Sequence, residues 1–218
     1  MNILIIGASR GIGQELARQY SNLDHNVNIT IRGKNHDVTR NVTVFSEVDV
    51  TCFDSIQKLA NSLDDKSIDL LIYNAGIWRD EVLGELNDKS FLETFNTNAV
   101  GAFRVASLLK DKLKTNGTLA LMTSKMGSIG DNSSGGRYSY RMSKAAMNAL
   151  GKSLSIDLKD RDIKVLMMHP GWVQTDMGGP NAHLTVEESV KGIINVIQKS
   201  APKDSGKFFN YDGTVISW

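Results

Sequence analysis

The sequence predicts an α/β protein: a doubly wound, mostly parallel sheet of seven strands with helices on both faces. Three observations lead there. Apolar runs alternate with helix-patterned segments from end to end, the pattern of strand–helix–strand units. That connectivity imposes right-handed crossovers. No linker, internal repeat or low-complexity segment interrupts it, so residues 1–218 read as one domain.

Taken in order, "NILII" (Asn2 to Ile6) reads as a buried strand and "IGQELARQYSN" as the helix after it. "NVNITI" (Asn26 to Ile31) is the second strand, and "NVTVFSEVDV" (Asn41 to Val50) contains a third. "FDSIQKLANSL" is helical, with Thr51 or Asp54 as its candidate cap. "IDLLIYNAG" is a strand ending in a turn, and Ser90 to Lys114 is one long helix. "GTLALMTS" is a strand, Gly127 to Arg137 a polar loop, Tyr138 to Lys159 a helix and "IKVLMMHPG" a strand. Thr185 to Lys199 is the last long helix, and "GKFFNY" closes the sheet. In the helix from Tyr138, small and apolar residues (Ala145, Ala146, Met147, Ala149, Leu150, Leu154, Ile156, Leu158) occupy much of the circumference. Such a helix is buried on more than one side, so its outer side is expected at a two-fold interface of a homodimer or homotetramer.

Composition narrows the function. The formal net charge is +1 and 41% of residues are hydrophobic, which gives no electrostatic case for nucleic acid or a membrane surface. The single cysteine, Cys52, allows no internal disulfide and fits a reducing compartment. The apolar run at the start is broken early by glycine and does not read as a signal peptide, and no stretch approaches a spanning length. A cytoplasmic location is expected.

Two local patterns carry chemistry. "GASRGIG" (Gly7 to Gly13) lies between a strand and a helix, where glycines let the backbone approach a ligand and the helix N-terminus faces a phosphate. Its spacing, G-x-x-x-G-x-G, departs from the G-x-G-x-x-G dinucleotide fingerprint. In "RYSYRMSKAAMNAL", Tyr140 and Lys144 are four apart and share a helix face, while Tyr138 points elsewhere. Such a pair is either an idle cation beside a ring or a phenol acidified by an ammonium.

Together with "NAG" (Asn74 to Gly76) and "PG-x-x-x-T" (Pro170 to Thr175), these motifs occur in the order found in the short-chain dehydrogenase/reductase family, which the chain resembles over its whole length. "HPGWVQTDMGG" and "GKFFNYDGTVISW" resemble its carbonyl-reductase and C-signal-like branch. The resemblance implies a Rossmann-type fold and assigns roles. Tyr140 is the acid in carbonyl reduction and the base in alcohol oxidation; Lys144, with an oxidised nicotinamide, lowers its pKa and binds the nicotinamide ribose. Ser124 donates to the substrate oxygen, and Asn98 holds a water linking Lys144 to solvent. Ser124 precedes Tyr140 by 16 residues, a longer interval than the family's usual one, and Ser128 is the competing candidate. Ser124 is preferred because "TSKMG" matches the family's paired hydroxyls followed by glycine. Ile6 stands where the family often has threonine, with the loss of a local hydrogen bond.

The cofactor site is expected to comprise Gly7, Ser9, Arg10, Gly11, Ile12 and Gly13; Asp49 and Val50 beside adenine; Asn74, Ala75 and Gly76 along the channel; and Pro170, Gly171, Val173 and Thr175 at the nicotinamide, with Tyr140 and Lys144. An acidic residue ending the second strand would favour NAD. This chain offers Arg32 and Lys34 there, with Arg10 in the glycine loop, suited to a 2′-phosphate. NADP(H) is therefore expected over NAD(H). The histidines (25, 36, 169 and 183) show no metal-ligand spacing, so no metal is expected and His169 reads as structural. Trp78, Met126, Trp172 and Met177, each near a strand's C-terminal end, suggest an apolar pocket for a small aldehyde, ketone or alcohol. With Gly178 to Leu184 as a small lid, varied carbonyls are expected. A cofactor-binding signalling or regulatory protein with little turnover is the alternative; the set of Asn98, Ser124, Tyr140 and Lys144 argues against it. A nucleic-acid-binding domain lacks its basic patch.

Overall fold

Residues 1–33 and 41–218 are described by the computed structural model. Lys34 and His36 therefore lie outside the described residues. The first strand, β1 (Asn2–Ile6), sets the logic of the fold. Strand side chains alternate between faces. Ile3 and Ile5 enter one core with Leu16 and Tyr20 of helix α1 (Gly11–Asn22), and Leu4 and Ile6 enter another. A strand buried on both faces is apolar throughout, which is why "NILII" carries no polar residue after Asn2.

The remaining strands are β2 (Asn26–Thr30), β3 (Val42–Phe45), β4 (Ile68–Tyr73), β5 (Leu113–Met122), β6 (Lys164–His169) and β7 (Lys207–Asn210). The last four repeat this arrangement, whereas β2 turns Val27 and Ile29 to one core and β3 is only partly buried. All seven form one sheet in the order β3-β2-β1-β4-β5-β6-β7. Every pairing is parallel. The fold class expected from the sequence is thus the one observed. On one face α1 and α6 (Val186–Lys199) pack through Val190, Ile193 and Ile197. On the other lie α2 (Phe53–Asn61), α4 (Gly101–Leu109) and α5 (Tyr138–Asp157), packed through Ile56, Val105, Leu109 and Met147. Strand order turns back between β1 and β4, so the chain leaves these neighbours toward opposite faces and a crevice opens at their C-terminal ends.

Two local expectations need correction. The stretch Ser90 to Lys114 is not one helix. It divides into α3 (Asp88–Phe95), a π-helical turn (Asn96–Val100), α4 and a short 3₁₀ turn (Lys110–Lys112), and β5 already begins at Leu113. The π turn has a tertiary cause. The hydroxyl of Tyr73, from β4, donates to the Thr97 carbonyl at 2.5 Å, a side chain inserted into the helical ladder. Gly101 makes room for it, since a Cβ there would lie 2.6 Å from that hydroxyl. The start of α2 uses neither Thr51 nor Asp54 as cap. Cys52 holds the cap position without a side-chain bond, and Thr51 Oγ1 donates to Asp49 at 2.7 Å. By contrast, α6 begins with a reciprocal cap between Thr185 and Glu188.

Helix α5 inverts the usual pattern. Its buried residues include Ser139, Tyr140, Ser143, Lys144, Asn148 and Ser155, whereas Met142 and Ile156 are exposed. Among the described residues no helix is long and apolar enough to cross a membrane.

Close packing at the crevice gives a stability test. A Cβ on Gly13 would lie 2.3 Å from the Gly7 carbonyl oxygen and 2.6 Å from Asn74 Nδ2. Gly13→Ala gains about 1 kcal/mol of helix propensity but forces a backbone shift worth more, for a net loss of about 1–2 kcal/mol. The midpoint of urea unfolding is expected to fall; an unchanged or higher midpoint would contradict the packing described.

Candidate active site

The glycine turn after β1 is shaped for a ligand. Gly7 has φ +83° and Gly11 φ +56°, the left-handed region that favours glycine. The turn is tied down on two sides. Thr30 Oγ1 accepts from the Gly7 N–H at 3.0 Å, and Asn74 Nδ2 donates to the Gly7 carbonyl at 2.7 Å. A hydroxyl from the end of β2 thus holds the loop beside Ile6, where the missing threonine raised concern. The N-terminus of α1 opens onto the same space, a place suited to phosphate.

A cleft of about 410 Å³ runs from this turn across the strand ends. It is lined at one end by Arg32, Asp49 and Val50, along its length by Gly7, Ser9, Arg10, Gly11, Ile12, Asn74, Ala75 and Gly76, and at the other end by Tyr140, Lys144, Pro170, Thr175 and Met177. Most of the expected cofactor residues therefore face one continuous groove. Three stand behind its wall. Gly13 is the helix–strand contact described above. Gly171, at φ +86°, packs against Leu184 and Tyr211, and buried Val173 bridges to Leu184. These residues shape the groove through backbone packing.

Arg32 is exposed at the groove's end. Arg10 is ion-paired with Asp176 across the groove's mouth. Asp49 accepts from both the amide and hydroxyl of Thr51, at 2.8 and 2.7 Å.

At the far end, α5 and the end of β5 bring polar groups together out of water. Lys144 is 4% exposed and Tyr140 7%. Lys144 Nζ lies 5.7 Å from the Tyr140 ring centroid and donates to the Met122 carbonyl at 2.7 Å. Burial pushes the Tyr140 phenol up to about 12, partly offset by a hydrogen bond with Ser124, and burial pushes Lys144 down to about 7. The acidified phenol implied by the resemblance is thus not a property of the chain alone. Desolvation disfavours both charged forms and is the first cause of each shift.

Ser124 and Ser128 now separate. Ser124 Oγ accepts from the Met126 N–H at 3.1 Å and meets Tyr140. Ser128 donates to the Ser217 carbonyl at 2.7 Å, anchoring the last residues of the chain to the loop that follows Ser124.

Asn98 sits in the π turn and is fully buried. Its Nδ2 donates to the Ile77 carbonyl and to Ser143 Oγ, each at 3.0 Å, and its Oδ1 accepts from the Ile77 N–H at 2.8 Å. A Cβ on Gly76 would lie 3.4 Å from that oxygen and 3.6 Å from Lys144 Nζ. Asn98 and Lys144 thus flank one small space, and the oxygen keeps a second lone pair toward it.

The four expected pocket residues do not form one wall. The Trp78 ring lies 4.6 Å from that of Tyr140, Met177 lines the groove, and Met126 is in the turn after Ser124. Trp172 turns away onto the segment after β6: its Nε1 donates to the Gly178 carbonyl at 2.7 Å and its ring meets His183 edge-on. His169 ends β6 with a buried, unpartnered Nδ1; burial and the Lys125 and Lys144 cations hold its pKa down at about 4. Among the described residues no His, Cys, Asp and Glu cluster could hold a metal. Sequence reading missed Thr30, Gln174 and Asp176 at the groove, Ser143 beneath Asn98, and Glu81, a buried carboxylate beside α5.

Comparison with known proteins agrees with this geometry. The chain is 44% identical over 156 residues to the C-signal of Myxococcus xanthus, covering 69% of this chain and 93% of that one. Its structure matches the carbonyl reductase Sniffer of D. melanogaster with a TM-score of 0.92 and 34% identity, over 100% of this chain and 99% of the other. It matches the NADPH-bound carbonyl reductase from chicken fatty liver with a TM-score of 0.90 and 30% identity, over 100% and 98% of the two chains. The family model described as short chain dehydrogenase matches residues 1–184, and with that match this chain belongs to the short-chain dehydrogenase/reductase family of oxidoreductases.

Proposed function

We propose that the chain is an NADP(H)-dependent carbonyl reductase that reduces a small aldehyde or ketone, or oxidises the corresponding alcohol. The observation carrying this reading is the pairing of Tyr140 and Lys144 at the inner end of a groove that begins in a phosphate-type glycine turn, with Ser124 hydrogen-bonded to Tyr140 and all three buried. The residues fit a dinucleotide. Gly11 and Gly76 leave the groove open beside Thr175 and Lys144, Gly7 lets the turn approach Ala75 closely, and the α1 N-terminus faces the groove. Arg32 at the end of β2, where an acidic residue would select NAD, supports the 2′-phosphate form. So does the likeness to an NADPH-bound carbonyl reductase. A bound reduced nicotinamide supplies the hydride.

The chain's own residues handle the proton. Tyr140 stays protonated at neutral pH because burial holds its pKa high, so it is poised to donate to the developing alkoxide. Ser124 is oriented by the Met126 N–H on its oxygen, which leaves its own proton to point at the same carbonyl oxygen. Lys144 spends one N–H on Met122 and keeps its others for a ribose hydroxyl. Asn98 Oδ1 is placed to hold a water beside Lys144 and connect the site to solvent. Trp78 and Met177 give the carbonyl's substituents apolar neighbours. The outward Met142 and Ile156 of α5 support pairing of two copies through that helix.

Turnover with NADPH against aldehydes and ketones tests this reading. Tyr140→Phe is expected to lower kcat by about 10²–10⁴-fold while leaving the NADPH Kd within about twofold; unaltered kcat would remove Tyr140 from the chemistry. NADPH binding without turnover on any carbonyl would favour a signalling role, a reading that the likeness to C-signal keeps specific.

Arg32→Ala removes a charge-assisted contact worth about 1.5–3 kcal/mol, so the NADPH Kd should rise by about 10–100-fold with NADH binding unaffected. Equal weakening of both would overturn the assignment to a 2′-phosphate.

With its pKa lowered to about 7, Lys144 is partly neutral at pH 7.5 in the free chain. An anionic cofactor favours its charged form. NADPH binding should therefore take up a proton near pH 7–8 and weaken as pH rises further. Calorimetry in buffers of different ionisation enthalpy reads the proton; Lys144→Met should abolish the uptake, and its persistence would point to another group.

A further inference from the structure

We infer that Glu81 is a positioning residue: its buried carboxylate caps α5 and fixes the helical turn that carries Tyr140, together with the Trp78 wall beside it. This rests on the function proposed above.

A helix begins with N–H groups that its own turns cannot satisfy. The residue before α5, Arg137, gives no side-chain cap, and its φ of +57° sets the chain in the left-handed region. The acceptor comes from elsewhere in the sequence. Glu81 Oε2 accepts from the Ser139 N–H at 2.9 Å, and its Oε1 accepts from the Ser139 hydroxyl. Both residues are buried, Glu81 at 7% exposure and Ser139 at 0%. A carboxylate is favoured at a helix N-terminus, where partial positive charge collects.

Two further contacts make a strap of residues 78–81. Asp80 pairs with Arg137 at 2.9 Å, and the Arg137 guanidinium lies 5.6 Å over the Trp78 ring, which in turn lies against Tyr140. The Asp80–Arg137 pair is substantially exposed and such pairs contribute little. Glu81 differs: removing it leaves a buried N–H and a buried hydroxyl of Ser139 without their acceptor, which is the costly case. Lys144 lies one turn further along and is held separately by Met122. Loss of Glu81 should therefore disturb proton donation and substrate packing while sparing cofactor binding.

The experiment compares Glu81→Ala and Glu81→Gln with wild type. In hydrogen–deuterium exchange, Glu81→Ala should speed exchange at residues 139–141 by about tenfold or more, with the rest of the sheet unchanged. In turnover it should lower kcat and raise the carbonyl KM, for a combined loss of about tenfold or more, with the NADPH Kd within about twofold. Glu81→Gln keeps one acceptor oxygen for the Ser139 N–H and should recover most of both losses. Unchanged exchange in Glu81→Ala overturns the cap. Faster exchange with unchanged kcat and KM overturns the positioning role, as does a uniform loss, NADPH binding included, that Gln fails to rescue. A wild-type chain that turns over no carbonyl would sink the proposed function alone, and exchange would still decide whether Glu81 caps the helix.

Discussion

The contact between the glycine turn and the end of β4 governs the site. Asn74 Nδ2 holds the Gly7 carbonyl, and a side chain on Gly7 would strike the Ala75 backbone at 2.8 Å. This close approach occurs where the strand order reverses, so it sets the width of the crevice between the two halves of the sheet. The chain then runs on from Ala75 through Gly76 to Ile77, which Asn98 grips by both its N–H and its C=O, and on to the residues that meet α5. One backbone contact thus aligns the groove at one end and the buried Tyr140 and Lys144 at the other.

The inner end of the groove is held in an electrostatically unfavourable state. An ammonium and a phenol are both withdrawn from water, and each shifts toward its neutral form. The polar partners present (Met122 carbonyl, Ser124, Ser143 and the Asn98 amide) are mostly fixed by backbone bonds of their own. Their dipoles need little rearrangement when charge develops, the condition under which such groups contribute most to catalysis. The desolvation cost is borne by the folding of the surrounding sheet, whose strands β1, β4, β5, β6 and β7 bury apolar residues on both faces.

What the sequence made legible follows from the range of each interaction. The parallel sheet was readable because burial on both faces writes an apolar run into its central strands, and Tyr140 with Lys144 because a helix enforces their spacing. The break between α3 and α4 was not readable: its cause is a hydroxyl on β4 reaching Thr97, 24 residues away. Glu81 gave no signal either, since its partner Ser139 is 58 residues on and a lone glutamate in a loop is commonplace. The bond from Ser128 to the Ser217 carbonyl, 89 residues distant, was equally out of reach of local reading. Nothing local in the sequence shows Asp176 beside Arg10, 166 residues away.

The π turn at Asn96–Val100 has a consequence for how this chain tolerates change in length. It accommodates more backbone per turn than the α-helices on either side of it. The wide turn takes up one extra residue while α3 and α4 keep their places on either side. Deleting that residue would let the two helices merge into one regular helix with Val105 and Leu109 still against the sheet, but the local path that carries Asn98 to Ile77 would be lost. The extra residue works as a mechanical setting of the molecule, an indexing step that leaves two helices in place while it turns one buried amide toward Ile77 and Ser143.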